Sequence, residues 1–140
     1  MEKPGLPPLD VTEFNSSLAW SAGNIVSTTG DMIRFVDALA GGRLLPPGQH
    51  RQMWTTVCTE GGHWVPHARY GLGLFEFDKQ ATGGRTLCGV GGSLWGTWFL
   101  AVGTPDGGHT IAVHTNTEGK SWDLTFKLID AEFGTSIAAA

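Results

Sequence analysis

Apolar residues recur along this chain with two periods, one helical and one extended. Met32, Phe35, Val36 and Leu39 follow i, i+3, i+4, i+7, with Ile33 and Ala40 widening the stripe and Arg34 and Asp37 lying off it. Ser27, Thr28 or Thr29 offers a cap oxygen ahead of this helix. Asp31 adds negative charge to its first turn, and Gly41-Gly42 ends it. Pro47 suits a first helical position, which predicts a short helix Pro47–Thr55 that buries Met53 and Trp54. Trp122, Phe126, Ile129 and Phe133 recur at i, i+4, i+7, i+11 on a last helix that Ser121 can cap and Gly134 ends. Tyr70–Phe77 alternates bulky residues with Gly or polar ones on part of its length and reads as one strand. Thr86–Asn116 reads as a three-strand antiparallel meander: Thr86–Ser93, Thr97–Val102 and Thr110–Thr115, with Pro105-Asp106-Gly107-Gly108 turning between the last two. The order helix, helix, strands, helix predicts an α+β fold, an antiparallel sheet of about four strands covered by helices. Asp10–Asn24 has no clean period; Trp20, Ala22 and Ile25 are expected to pack, and Ser21-Ala22-Gly23 to turn.

The first strand of the meander is unusual. Gly89, Gly91 and Gly92 leave it nearly bare, so another backbone or a ligand can lie against it. It is not a phosphate loop, because no Lys-Ser/Thr ending and no helix follow it.

A length of 140 residues suits one domain with a modest core, and the 21 Gly and 7 Pro fall at element ends as turn residues. The expected division is a Pro-rich lead-in over 1–10, a folded region over 11–134 and a frayed tail over 135–140. A net charge of −4 and few Lys and Arg argue against nucleic acid as a partner. No apolar run reaches membrane-spanning length, and Met1–Pro8 has no apolar signal core. The compartment stays open, and so does the state of Cys58 and Cys88, bridged or two reduced thiols.

Candidate metal ligands are few. His63 and His67 have a ligand spacing only on a helix, which Gly61-Gly62 and Pro66 oppose, and no Glu follows His63. His109 and His114 are an odd number apart, so they should face opposite sides of the sheet. No metal and no cofactor is expected. Asp31, Asp37, Asp123 and Asp130 read as solvated helix charges, and Trp95 in the Gly-rich turn as a pocket, core or interface residue.

Several segments, taken in order, resemble the serine β-lactamase-like family, which includes class C β-lactamases and Streptomyces-type D-alanyl-D-alanine carboxypeptidases. They are Ser21-Ala22-Gly23-Asn24-Ile25-Val26-Ser27-Thr28-Thr29-Gly30-Asp31-Met32, Arg34-Phe35 and Gly41-Gly42-Arg43-Leu44-Leu45-Pro46. Tyr70-Gly71-Leu72-Gly73-Leu74, Gly89-Val90-Gly91-Gly92 with Gly96, and Pro105-Asp106-Gly107 before a strand ending at Asn116 continue it. The resemblance covers about Val11 to Phe133 and implies the C-terminal part of a longer serine hydrolase. In that family a Ser-x-x-Lys serine attacks a carbonyl, Tyr-x-Asn assists proton transfer, and a Lys/His-Thr/Ser-Gly strand flanks the site. Ser-x-x-Lys and Tyr-x-Asn are absent from this sequence; the single tyrosine, Tyr70, is followed by Gly71-Leu72. The third motif maps to Val90-Gly91-Gly92, where Val90 replaces the cation and Gly91 the hydroxyl residue. The same mapping makes the backbone N–H of Ser93 the oxyanion donor and Val90, Gly91, Gly92 and Ser93 the substrate-binding residues, with no catalytic side chain in the chain.

Two readings follow. The chain is a portion of a serine hydrolase that is not catalytic alone, or it is a stand-alone, non-catalytic binding module of the same fold. The resemblance also implies that N-terminal strands of the family pair beside Thr110–Thr115. Nothing earlier in this sequence reads as that neighbour, so an open edge carrying Ile111, Ala112 and Val113 is expected. The expected partner at Thr110–Thr115 is a second copy, giving a homodimer, or a separately made N-terminal half.

Overall fold

A computed structural model of the chain describes residues 7, 9–59, 65, 67–117 and 121–137. His63, most of the Met1–Pro8 lead-in, the Thr117–Lys120 turn beyond Thr117 and the last three alanines lie outside them. The helices are α1 (Trp20–Gly23), α2 (Thr29–Ala40), α3 (Pro47–Met53), α4 (Lys79–Thr82) and α5 (Ser121–Phe133). The strands are β1 (Val57–Cys58), β2 (Ala68–Tyr70), β3 (Phe75–Phe77), β4 (Leu87–Leu94), β5 (Thr97–Gly103) and β6 (Thr110–Thr115). They form one six-stranded sheet in chain order, with every neighbouring pair antiparallel.

The α+β reading holds, and the strand count rises from about four to six for a local reason. Tyr70–Phe77 is not one strand. It holds the end of β2, a tight turn and β3: the Gly71 N–H donates to the Leu74 carbonyl at 2.9 Å, and Ala68 lies opposite Phe77. Gly73 takes φ +83°, a left-handed conformation that suits glycine. Glycines that look like the small half of an alternation are therefore the turn itself. The polar stretch after β3 likewise contains α4, whose N–H groups of Gln80 and Ala81 donate to the Asp78 carboxylate.

Side chains alternate across a strand, so each strand feeds two layers. On one face Phe126, Ile129 and Phe133 of α5 are buried in a cluster with Phe75, Phe77, Leu100 and Val102. Burying each such side chain contributes about 1.5–3 kcal/mol. The Trp98 indole N–H donates to Thr125 Oγ1 at 3.2 Å, which satisfies two buried polar groups, and the Trp122 ring lies 3.9 Å from that of Trp98. The last-helix stripe is thus the observed core face, and Gly134 closes the helix at φ +64°. Beyond the helix, Asp130 accepts from Thr135 Oγ1 and from the Ile137 N–H, and Ile137 is buried.

On the other face lies α2, capped by Thr28 Oγ1 accepting from the Asp31 N–H at 3.1 Å. Val36, Leu39 and Ala40 are buried, while Phe35 is largely exposed. Asp37 and Asp130 are not solvated helix charges. Asp37 is half-buried and accepts from Thr110 Oγ1, tying α2 to β6. Met53 and Trp54 are only half-buried; the Trp54 indole N–H donates to His50 Nε2 at 2.8 Å. Trp20 and Ile25 do not pack as expected. They are 78% and 86% exposed, and Trp20 has φ +44°.

Removing the hydroxyl that reaches Asp37 tests this layer. Thr110→Val should lower unfolding stability by about 1–3 kcal/mol, because it leaves a half-buried carboxylate without its partner. Urea unfolding followed by tryptophan fluorescence measures it, and a change within about 0.3 kcal/mol would mean the tie carries no weight.

Candidate functional site

β4 is paired unevenly along its length. On one side β5 runs alongside it from Cys88 to Leu94. On the other, β3 pairs only with Leu87, Cys88 and Gly89. From Val90 to Leu94 the strand therefore has a strand neighbour on one side only, among the described residues. An edge of this kind can accept an added extended backbone.

The three glycines do different work. A Cβ on Gly89 would sit 2.0 Å from the Ala101 carbonyl oxygen and 2.9 Å from Phe75, and one on Gly91 would sit 2.6 Å from Leu100. Those two bare positions are filled by the chain's own packing. A Cβ on Gly92 would meet nothing within 4 Å. Of the bareness expected to serve a ligand, Gly92 alone opens onto free space.

Gly92 opens into a cleft of about 880 Å³ between the sheet and the segment that leads into α2. Its sheet side includes Val90, Gly92, Phe99 and His114, and its other wall includes Asn24–Thr29 and Met32. The register explains the grouping: Gly92 pairs with Phe99 and Phe99 with His114, so the three form a row on one sheet face. All four residues mapped to the third motif border this cleft; Val90 is half-buried, and Gly91, Gly92 and Ser93 are exposed. His114 is the only residue with an ionisable side chain among those described around it. The cleft can thus take a largely apolar, extended chain whose own backbone pairs with the strand. As residues bordering the cleft, Phe99 and His114 follow from the register across the meander, which residue type and spacing along the chain do not give.

Other candidates fall outside the cleft. Trp95 packs edge-on against Phe14, with ring centroids 4.5 Å apart, and does not line it. His109 lies against Phe133 on the α5 side and meets Glu132 at 2.6 Å, so His109 and His114 do face opposite sides of the sheet. His67 meets Gln80 at 3.4 Å. No group of three His, Cys, Asp or Glu residues able to hold a metal ion occurs among the described residues. Cys58 and Cys88 are both free; Cys58 is exposed and Cys88 buried. Burial, with smaller contributions from Glu76 and Asp106, pushes the Cys88 thiol up to about 12, so it is no nucleophile at neutral pH.

A family model described as Beta-lactamase matches residues 1–131. Among solved structures the chain is similar to a D-stereospecific amidohydrolase from Streptomyces sp., with 38% sequence identity and a TM-score of 0.72. The match covers 87% of this chain and 34% of that one, so the chain spans about a third of the length of this relative.

The division of labour among the glycines is testable by substitution. Gly89→Ala should cost about 1–3 kcal/mol or more from overpacking, whereas Gly92→Ala should leave stability within about 0.5 kcal/mol. Urea midpoints of the two variants decide it; equal losses would contradict the assignment.

Proposed function

The chain belongs to the β-lactamase family, and from that premise we propose that it forms the substrate-strand portion of a serine hydrolase that cleaves amide bonds through an acyl-serine. The observation that carries the proposal is the one-sided half of β4, Val90–Leu94, bordering an apolar cleft where the family's third motif maps. An extended substrate adds to this edge by backbone pairing, and Gly92 lets it approach closely. The Ser93 N–H supplies an oxyanion donor, a role that survives any change of side chain. Val90 brings no cation and Gly91 no hydroxyl, so proton transfer and the nucleophile come from polypeptide outside this chain, which contains neither Ser-x-x-Lys nor Tyr-x-Asn. The D-stereospecificity of the Streptomyces relative makes an amide beside a D-residue the substrate class, with D-alanyl-D-alanine peptides and β-lactams as members. The partner is a separately made N-terminal half or a second copy, meeting β6 at the end of the sheet.

A second reading, a stand-alone peptide-binding module, is favoured by one observation: Val90 and Gly91 replace both chemically active side chains of the motif. Both readings use the same strand, and chemistry separates them.

Titration with an acyl-D-alanyl-D-alanine peptide should shift the amide resonances of Val90–Ser93, and the L,L peptide should shift them less. Unmoved β4 resonances would remove the substrate-strand assignment. Incubated with a reporter penicillin, the chain and its Val90→His variant should both show no covalent adduct by intact mass. A stoichiometric adduct on any serine would place the nucleophile inside this chain.

A further inference from the structure

The wall of the cleft opposite the sheet is thinly held. No described side chain from Val11 to Thr29 is buried, and only Val11, Phe14 and Ala19 are half-buried. Outside its own short helical turns, the hydrogen bonds of this segment among the described residues are local. The Thr12 N–H donates to Asp10, the Phe14 N–H to the Val11 carbonyl and the Ser17 N–H to Asn15. A segment with so few buried contacts opens more readily than the core beside it.

Its two ends are fixed differently. At the far end it runs into α2, whose Val36, Leu39 and Ala40 are buried. At the near end it meets the turn between β4 and β5 at two points. The Phe14 ring stands edge-on to Trp95, with centroids 4.5 Å apart, a geometry that attracts beyond the area it covers. Val11 lies over Gly96, where a Cβ would run into Val11 Cγ2, and Gly96 has φ +79°. This turn joins Leu94 to Thr97, and both of those residues line the cleft.

Between the two ends stands a strained residue. Trp20 has φ +44° and an exposed ring, so packing of that ring does not hold it there. A bulky residue keeps such a backbone only where the chain around it dictates it. Residues 21–28, which line the cleft, follow directly. Freeing the Phe14 end lets Trp20 relax, and the wall moves with it.

We propose that the Phe14–Trp95 contact, backed by Val11 on Gly96, is a latch that holds residues 21–28 in place as the wall of the cleft, with Trp20 as the hinge. Parting the two rings swings the wall away from the sheet face and widens the cleft. The latch concerns the shape of the cleft and stands independently of the hydrolase reading.

Native-state proteolysis by elastase, which cuts after small apolar residues, tests it. Cuts after Ala22 and Val26 report the wall, and cuts after Ala101 and Val102, both buried in β5, report global opening. Cutting that is slow relative to reclosing tracks the open population. Phe14→Ser and Trp95→Ser should each speed the wall cuts at least about threefold, the loss expected of an aromatic pair and its packing. The β5 cuts should keep their wild-type rate. Phe14→Tyr and Trp95→Phe retain two facing rings and should stay within about twofold of wild type. Should Trp95→Ser disturb the β4–β5 turn, Phe14→Ser decides, because Phe14 lies outside every strand. A smaller rise in Phe14→Ser, an equal rise at the β5 cuts in that variant, or a wild-type wall cut as fast as an unstructured peptide overturns the latch.

Discussion

Everything around the cleft depends on where β3 begins. It pairs with β4 only as far as Gly89, and the tight turn through Gly73 returns the chain so that only three residues of each strand meet. Beyond that point β4 has β5 on one side and no strand on the other among the described residues. A longer β3 would close the edge and leave no place for an added backbone. The short hairpin therefore leaves the outer half of a core strand with a strand neighbour on one side only, among the described residues. Gly89 and Gly91 belong to the packed part of this arrangement, and Gly92 to the open part.

The two faces of the sheet are stabilised differently, and the cleft lies on the less covered face. The α5 face is closed by large side chains and by the Trp98–Thr125 hydrogen bond. The α2 face is closed only over its outer portion, where Val36, Leu39 and Ala40 are buried and Asp37 meets Thr110. Where α2 begins, the same face opens into the cleft. Behind β4 lies a fully packed layer and in front a partly covered one, so the open half of the strand is backed by core.

Long periodic elements were legible in the sequence. The α2 and α5 helices and the three-strand meander match the structure because each repeats a single period over many residues, although Phe35 of the α2 stripe is exposed. Short elements were not. Tyr70–Phe77 hides a turn inside an apparent alternation, and α4 is a single capped turn in a polar stretch. Asp37 and Asp130 read as surface charges because their partners, Thr110 and Ile137, are brought to them by tertiary structure alone. Of the residues bordering the cleft, resemblance named Val90–Ser93, while Phe99 and His114 needed the cross-strand register. Trp20 and Ile25 were expected to pack because they are large and apolar, and within the described residues nothing covers them.

Backbone hydrogen exchange along β4 tests the central claim most directly. In an antiparallel pair alternate residues direct their N–H to a given neighbour, so a strand paired on both sides protects every amide and one paired on one side protects every second amide. Cys88 and Gly89, flanked by β3 and β5, should both be strongly protected. From Val90 to Leu94, protected amides should alternate with amides that exchange at nearly the rate of unstructured chain. Uniform protection through Leu94 in the isolated chain would show that the outer half of β4 is already occupied, and the account of an open substrate strand would fail.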